Sequence, residues 1–475
     1  MNKYISKARY LPQGVKASIA FFLANVITKG IGYITTPLYT RLLTTDQYGQ
    51  TSVFLTWLQV FGIVAMFCLS YGVFNNGMID YPDKRDEYSL SMLALSNIIT
   101  VCFSGIILCI YPLISKYLKM SFPLLVLMCI VFLFQPAYNF WMAKQRYELK
   151  YKLTVFWSLS SAFISPLIAI ICILLFPNQR LYARVFGAEV ALLLIYIGFY
   201  IHLIIKAKGK INTKYWKPAL IFNLPLIPHY LSTYLLGSAD KIMISNIIDD
   251  TATAYYSVAY SVASVAIIIW TAANSSLIPY TYEKCKAKDY QSISKVTIPI
   301  LLFFGVACVF IILLAPEVVA IMASKDYKEA IYVIPPIVGG VFFQVHYYIY
   351  ANVLYYYKKP KYVMIGSGVA TLLNIVLNYI FIREFGYIAA GYTTIFCYFV
   401  QALIDYFAMK HVVGESIYNM KIIIGMSAFL TMISIFSNLT YDYILIRYLA
   451  ILIILTVGLI NCKKIISIFT GLKKG

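Results

Sequence analysis

An all-α polytopic membrane protein of about fourteen transmembrane helices, built as two six-helix lobes plus two extra C-terminal helices, is predicted by three observations. The 475-residue chain is 61% hydrophobic and only 12% charged, with a mean hydropathy of +0.77. Apolar runs of about 20 residues, long enough to cross a bilayer, recur from end to end. Basic residues gather between those runs, in every second connection. The net charge of +20 therefore reads as membrane orientation, and no nucleic-acid partner is expected.

The apolar segments fall at roughly 17–42, 48–74, 88–114, 121–143, 153–176, 181–205, 218–247, 253–280, 296–315, 329–357, 361–382, 387–409, 420–437 and 443–461. One set of alternate connections, which includes both termini, holds 28 Lys and Arg, and the other set holds 9. Lys29 and Lys241, inside spans, complete the 39. The positive-inside rule then predicts a multi-pass protein with both termini cytoplasmic. No connection is long enough for a soluble domain. The N-terminal MNKYISKARYLPQG has no apolar region ending in a small-residue cleavage site, so no cleaved signal peptide is expected. The nine cysteines lack metal-ligand spacing and lie mostly in apolar runs, as packing residues do.

The chain repeats itself. FQPAYNFWMAKQRYELKYK from Phe134 recurs loosely as FQVHYYIYANVLYYYKKPK from Phe343. Phe134, Gln135, Tyr138, Lys150 and Lys152 match Phe343, Gln344, Tyr347, Lys359 and Lys361 at a constant offset of 209. A weaker echo pairs RLLTTDQYGQTSVF from Arg41 with NIIDDTATAYYSVAY from Asn246. Six spans separate the copies, an even number, so both halves run the same way through the membrane. This predicts parallel repeats with a site between two lobes. The expected organisation is a lobe over 1–210, a second over 211–412, and two additional helices with a basic tail over 413–475.

Each half opens on a helix with a polar stripe. In the first span, Asn25, Lys29, Gly32, Thr36 and Thr40 share one face, while Leu23, Ile27, Ile34 and Leu38 lie opposite. A lysine at that depth costs about 2.5–3.5 kcal/mol unless something compensates it. In the seventh span His229, Thr233, Gly237, Asp240 and Lys241 share a face, opposite Ile227, Leu231 and Ile242. Two lead helices with basic stripes suggest a shared cavity for an anion. Arg41 sits off the first stripe, near the outer end, where interfacial anchoring and substrate contact are both open. Pro225 and Pro228 should bend or break the seventh span, and Pro37 the end of the first.

Three carboxylates, Asp240, Glu189 and Asp405, lie inside spans, where such groups serve as structural partners or as ion relays. No phosphate-binding loop, metal-ligand pair or nucleophile elbow is present in the sequence. No enzyme activity and no cofactor are expected. Any driving force then comes from a proton or sodium gradient, the membrane potential or the substrate's own gradient.

The stretch ANVITKGIGYITTPLYTRLLTTDQYGQ resembles the opening of the bacterial polysaccharide flippases of the Wzx or oligosaccharide-flippase type. That family shares a superfamily with multidrug cation exporters and lipid II flippases. LPLIPHYLSTYLLGSADKIMISN followed by AYYSVAYSVA is similar to the family's second lead helix and next span, and FGYIAAGYTT from Phe385 to the start of its twelfth. The resemblance covers most of the chain. It implies two six-helix lobes around a central, often cationic cavity in a bacterial plasma membrane protein. The implied substrate is a short oligosaccharide, such as an O-antigen repeat unit, on undecaprenyl diphosphate. A polysaccharide polymerase and chain-length machinery are the partners it suggests, besides membrane lipids. The family's cavity positions map onto Lys29, Asp240 and Lys241, although its members often carry more basic residues there. The expected substrate-contacting set is Lys29, Lys241, Asn25, Thr36, His229, Asp240 and Arg41, with Asp240, Glu189 and Asp405 as coupling candidates. The alternatives are a multidrug or cation exporter of the same fold, or a membrane-embedded polymerase or glycosyltransferase. Cation export would favour an acidic cavity, and such enzymes generally need a loop or domain outside the bilayer.

Overall fold

The computed structural model describes residues 13–460. Residues 1–12 and 461–475, the ends expected in the cytoplasm, lie outside the described residues, as does the stretch on which the signal-peptide expectation rests. Among the described residues there is no strand, and fourteen helices have 17 residues or more. In the first half these are α1 (Gln13–Leu42), α2 (Thr45–Ala65), α3 (Arg85–Leu118), α4 (Phe122–Tyr147), α5 (Tyr151–Leu175) and α6 (Arg180–Lys206). The second half continues with α7 (Ile227–Ile247), α8 (Asp250–Ala287), α9 (Tyr290–Leu313), α10 (Ile334–Tyr356), α11 (Pro360–Phe385) and α12 (Ala389–Val413). The last pair is α13 (Met420–Phe436) and α14 (Ile444–Ile460). Each apolar segment of the sequence thus contains one long helix, although the seventh is broken near its start. Ten of the described segments are by length and composition able to cross a membrane. The helices α2 and α12 are less apolar, and α14 is shorter.

The internal repeat reappears as packing. In the first half α4 packs on α3 and α6, and α5 packs on α6; in the second, α10 packs on α9 and α12, and α11 packs on α12. The fourth helix of each set is the core. The apolar stretch is 61% buried in α4 and 89% in α10, against 11% in α5. These two helices carry the Phe-Gln…Tyr echo. The weaker echo is a capping turn. The Thr44 hydroxyl accepts from Gln47 N and Thr44 N donates to Gln47 Oε1, both at 3.2 Å, closing a capping box on α2. At the matching place Asp249 Oδ1 accepts from Ala252 N at 2.7 Å and starts α8.

The chain divides into two compact units, Met1–Tyr234 and Leu235–Gly475, with the division inside α7. The residues before α7 are strapped to the first unit. Asn212 N donates to the Ser91 hydroxyl at 2.9 Å, and Asn212 Nδ2 and the Tyr215 hydroxyl donate to Glu87 Oε1 at 3.1 and 3.2 Å. Trp216 Nε1 donates to Ser91 O at 2.9 Å, and Asn223 Nδ2 to Phe67 O at 2.7 Å. A short helix, Trp216–Asn223, then meets a 3₁₀ turn over Leu224–Leu226 before α7 begins. The expected break therefore falls at Pro225, which has no N–H to continue the ladder. Helix α1, by contrast, runs on through Pro37 to Leu42.

In the second unit the buried Arg447 of α14 donates to Leu313 O at 2.9 Å and to Glu317 Oε2 at 2.8 Å. Glu317 belongs to a short helix, Ala315–Met322, between α9 and α10. Burial pushes its carboxyl up, but the hydrogen bond and charge of Arg447 outweigh this and hold it below the usual carboxylate range.

Candidate functional site

The first unit encloses a polar cavity of about 650 Å³. Helix α1 contributes Thr28, Gly32, Thr35 and Tyr39, and α2 contributes Gln59. Gln135, Tyr138, Asn139 and Arg146 come from α4, Ser158, Ser161 and Ser165 from α5, and Arg184 and Tyr196 from α6. Among the described residues no carboxylate lines it. Among the described residues neither Arg146 nor Arg184 forms a salt bridge. The Arg184 guanidinium lies 4.0 Å from the centre of the Tyr39 ring, a cation–π contact that holds the charge without neutralising it. The Tyr39 hydroxyl in turn donates to Pro166 O at 3.4 Å.

The two arginines mark opposite ends of this space. Helices α4 and α6 run in parallel, with Tyr138 against Tyr196 (ring centres 5.5 Å apart) and Trp141 against Phe199 (4.5 Å). Arg146 lies eight residues beyond Tyr138, and Arg184 twelve residues before Tyr196. At 1.5 Å per residue their backbones differ in level by roughly 30 Å. Between them stand mainly hydroxyls and amides, which can donate to phosphate or sugar oxygens without adding charge.

The residues expected from the sequence are distributed differently. On α1 the cavity face is Thr28, Gly32, Thr35 and Tyr39, so only Gly32 is shared with the stripe. Asn25 and Lys29 are exposed and do not line the cavity. Thr36 and Thr40 are buried, their hydroxyls donating to Gly32 O at 2.8 Å and Pro37 O at 3.2 Å of their own helix. Arg41 is exposed and its Nη1 donates to Pro37 O at 2.8 Å. Glu189 is buried on α6, within reach of the Arg184 charge.

In the second unit Asp240 of α7 is 1% exposed at the centre of a polar network. Its carboxylate accepts from the Tyr256 hydroxyl of α8, from Asn378 Nδ2 of α11 at 2.5 Å, and from the Thr394 hydroxyl of α12 at 3.1 Å. Asn374 Oδ1 accepts from Asn378 Nδ2 at 3.2 Å, and Thr393 donates to Asn378 Oδ1. Four helices therefore meet at one buried carboxyl group surrounded by hydroxyls and side-chain amides. That donor set is suited to a small hard cation or a proton. Lys241, beside it in sequence, points its Nζ at the Tyr260 ring, 4.9 Å from the centroid. His229 is half-buried, and its backbone carbonyl accepts from Ser232 at 3.0 Å and Thr233 at 2.9 Å. Asp405 on α12 is fully buried. A separate, mainly apolar groove of about 590 Å³ lies among α10, α12 and α13, with His346 and Tyr350 on its wall. Among the described residues no group of three His, Cys, Asp or Glu side chains is placed to hold a metal ion.

Arg146 and Arg184 are the residues that sequence reasoning missed, because each lies near a helix end and was read with the connections. The signal was present. Gln135, Tyr138, Asn139, Met142 and Arg146 recur at helical spacing along α4, and Ser158, Ser161 and Ser165 do so along α5.

Comparison with known proteins agrees with this architecture. Residues 15–284 match the family described as polysaccharide biosynthesis protein, and residues 225–380 match the MatE family. A putative protein of the Lsg locus of Haemophilus influenzae is 22% identical over 367 residues, covering 76% of this chain and 89% of the relative. The structure of the lipid II flippase MurJ in an inward closed conformation superimposes with a TM-score of 0.69 at 19% identity, over 95% of this chain and 98% of that one. An inward-facing multidrug resistance MATE family transporter of the MOP superfamily does so with a TM-score of 0.64 at 12% identity, over 81% and 94%. The two solved structures fix the fold, and the family match spans more than half of the sequence. The chain is a member of the polysaccharide biosynthesis protein family, with the helical architecture that MurJ and the MATE transporters share.

Proposed function

We propose that this protein moves an anionic, lipid-linked oligosaccharide, of the undecaprenyl-diphosphate type, from the cytoplasmic to the outer leaflet of a bacterial plasma membrane by alternating access. The observation that carries this reading is the cavity of the first unit, which holds two arginines without salt bridges, many hydroxyls and amides and, among the described residues, no carboxylate. Such a lining attracts a diphosphate and offers neutral donors to a glycan. Arg146 and Arg184, at opposite ends of the cavity, are assigned to the diphosphate in turn, at successive points along its path. Lys29, with Asn25, Lys241, His229 and Arg41, is assigned to further contacts along the path, and Thr36 to shaping the lead helix. Both termini face the cytoplasm in this reading. A polymerase and chain-length machinery receive the product. The family and the MurJ-like fold support a transporter rather than an enzyme.

The membrane potential supplies a driving force. A diphosphate diester carries about two negative charges, and moving each outward across 100 mV releases roughly 2.3 kcal/mol. Two charges give about 4–5 kcal/mol if they cross unneutralised. A sodium ion or proton at Asp240, with Glu189 and Asp405 as the other membrane carboxylates, would add to this on the return of the empty carrier.

The second reading, a multidrug or cation exporter, is favoured by the MatE match over residues 225–380 and by the MATE-like fold. It predicts an acidic substrate cavity, whereas two arginines and, among the described residues, no carboxylate line the cavity of the first unit. Depleting the protein and identifying by mass spectrometry the lipid-linked glycan that accumulates separates the two. Accumulation of an undecaprenyl-linked glycan supports the flippase, and unchanged lipid-linked glycans with raised sensitivity to cationic drugs would support the exporter.

A further inference from the structure

The second unit buries two carboxylates in opposite surroundings. Asp240 accepts hydrogen bonds from three side chains. Asp405, eleven residues beyond Thr394 on α12, is 0% exposed, and neither of its oxygens has a hydrogen-bond partner among the described residues. One helical turn earlier on the same face, Gln401 is 2% exposed and its Oε1 is likewise unpartnered. The space around the carboxyl exists because residue 366 of α11 is a glycine. A β-carbon there would stand 2.9 Å from Asp405 Oδ1 and 3.4 Å from Oδ2.

The neighbouring helices bring no compensating charge. From α10 the titratable groups within electrostatic reach are Tyr347 and Tyr355, which bring no positive charge. From α11 the facing residue is Gly366. Among the described residues no lysine, arginine or histidine forms a salt bridge with the carboxyl. An ionised carboxylate in such a place costs many kcal/mol, which proteins avoid by neutralising the group. Adding one proton resolves both deficits, because the acid form loses its charge and gains an O–H for a neighbouring acceptor. Gln401 Oε1, a buried acceptor without a donor, is the group on that face able to take it.

We propose that Asp405, with Gln401, is a proton-binding site of the second unit, distinct from the Asp240 network. The proton is taken up by the carboxylate as the acid and given back to water when the site opens, with no other bond made or broken. Asp240, whose hydrogen bonds satisfy the charged form, remains the carboxylate suited to a metal cation, so the two groups divide proton from cation. This deepens the coupling part of the flippase reading and rests on it for its transport role, although proton binding itself does not.

Infrared difference spectroscopy on the purified full-length protein in lipid, between acid and alkaline buffer, reads the site without any substrate. A protonated-carboxyl C=O band at neutral pH is expected in the wild type, absent in Asp405→Asn, retained in Asp240→Asn, and shifted in Gly366→Ala, where the new methyl crowds Oδ1. In proteoliposomes, Asp405→Asn should bring the ratio of flipping rates with and without a pH gradient to unity, while acceleration by membrane potential persists. A band that survives Asp405→Asn overturns the proposal, as does a pH-gradient response that survives in that variant. If the band disappears as expected but no lipid-linked glycan is flipped by the wild type, the proton site stands and the flippase reading falls. Should Asp405→Asn fail to fold, Gly366→Ala decides: an unshifted band removes Asp405 as its source.

Discussion

The two units use one packing scheme for contrary ends. Around α1, α4, α5 and α6 the first unit leaves about 650 Å³ of space with a guanidinium toward each end. The corresponding lead helix of the second unit, α7, is drawn against α8, α11 and α12 by a single carboxylate that three hydroxyl or amide groups satisfy. Three helix pairings recur in both units, but α1 packs closely on α5 while α7 does not do so on α11, and α8 packs far more on α10 than α2 does on α4. A repeated scaffold can therefore hold an anion path in one copy and a cation or proton station in the other. What changes is the sign of the charge, how deeply it is buried (Arg146 is exposed and Arg184 half-buried, Asp240 fully buried) and whether its partners are built in.

The largest effect that would break this contrast is expected in the cavity. Each guanidinium bond to a diphosphate is worth about 1.5–3 kcal/mol, so Arg146→Gln and Arg184→Gln should each slow flipping in proteoliposomes by roughly 10–100-fold. Membrane levels of protein should not change. Wild-type rates in both variants would remove the cavity as the anion path. Next, Asp240→Asn keeps the shape of the network and removes its charge. It should cut the stimulation of flipping by a sodium gradient at least about fivefold, the scale of a typical coupling energy. Full sodium stimulation in that variant would leave the second unit without an ion role at Asp240.

A smaller effect tests the exposed side of the lead helix. Lys29→Ala should lower surface glycan, Lys29→Arg should keep part of the activity, and Arg41→Ala should be milder than either cavity variant. A greater loss at Lys29 than at Arg184 would move the anion path to the face that the helical wheel picked out. The smallest effect on transport is expected at the outer edge of the second unit. Glu317→Gln leaves the buried Arg447 without its anion and should destabilise the protein by about 3 kcal/mol, read as a lower Tm, with flipping retained. The wild type should lose this contribution as the pH falls. Arg447 holds the Glu317 carboxyl below its usual range, so the stabilisation is present above the unfolded value and disappears through the lower folded value. A Tm difference that persists in strong acid would contradict the assignment.

The fold was legible because membrane helices announce themselves through length and apolarity, and because the repeat left an echo at half-buried Phe134, Gln135 and Tyr138 of α4 and at their counterparts on α10. Asp240 was singled out by the polar face of its helix, where neutralisation by Lys241 was an equal alternative, and the structure sets it in a network with Tyr256, Asn378 and Thr394. The cavity was not. A wheel drawn for one helix cannot show where five helices converge, and on α1 it favoured Thr36 and Thr40, whose hydroxyls are satisfied within their own helix. Arg146 and Arg184 were hidden by position. Near helix ends, arginines are ordinarily interfacial, and only the packing of α4 against α6 turns their long side chains toward one space.

The strap ahead of α7 has a consequence for how the chain is joined. Asn212, Tyr215, Trp216 and Asn223 fasten their segment to Glu87, Ser91 and Phe67, so the residues just after the turn at Gly209 belong to the first unit by contact as well as by sequence. The peptide link at that turn is then not what keeps the two stretches together. A protease cut or an engineered break beside Gly209 should leave a nicked protein that purifies as one species, with the downstream fragment clasping the upstream one. The two could in principle be encoded as separate chains and still find each other.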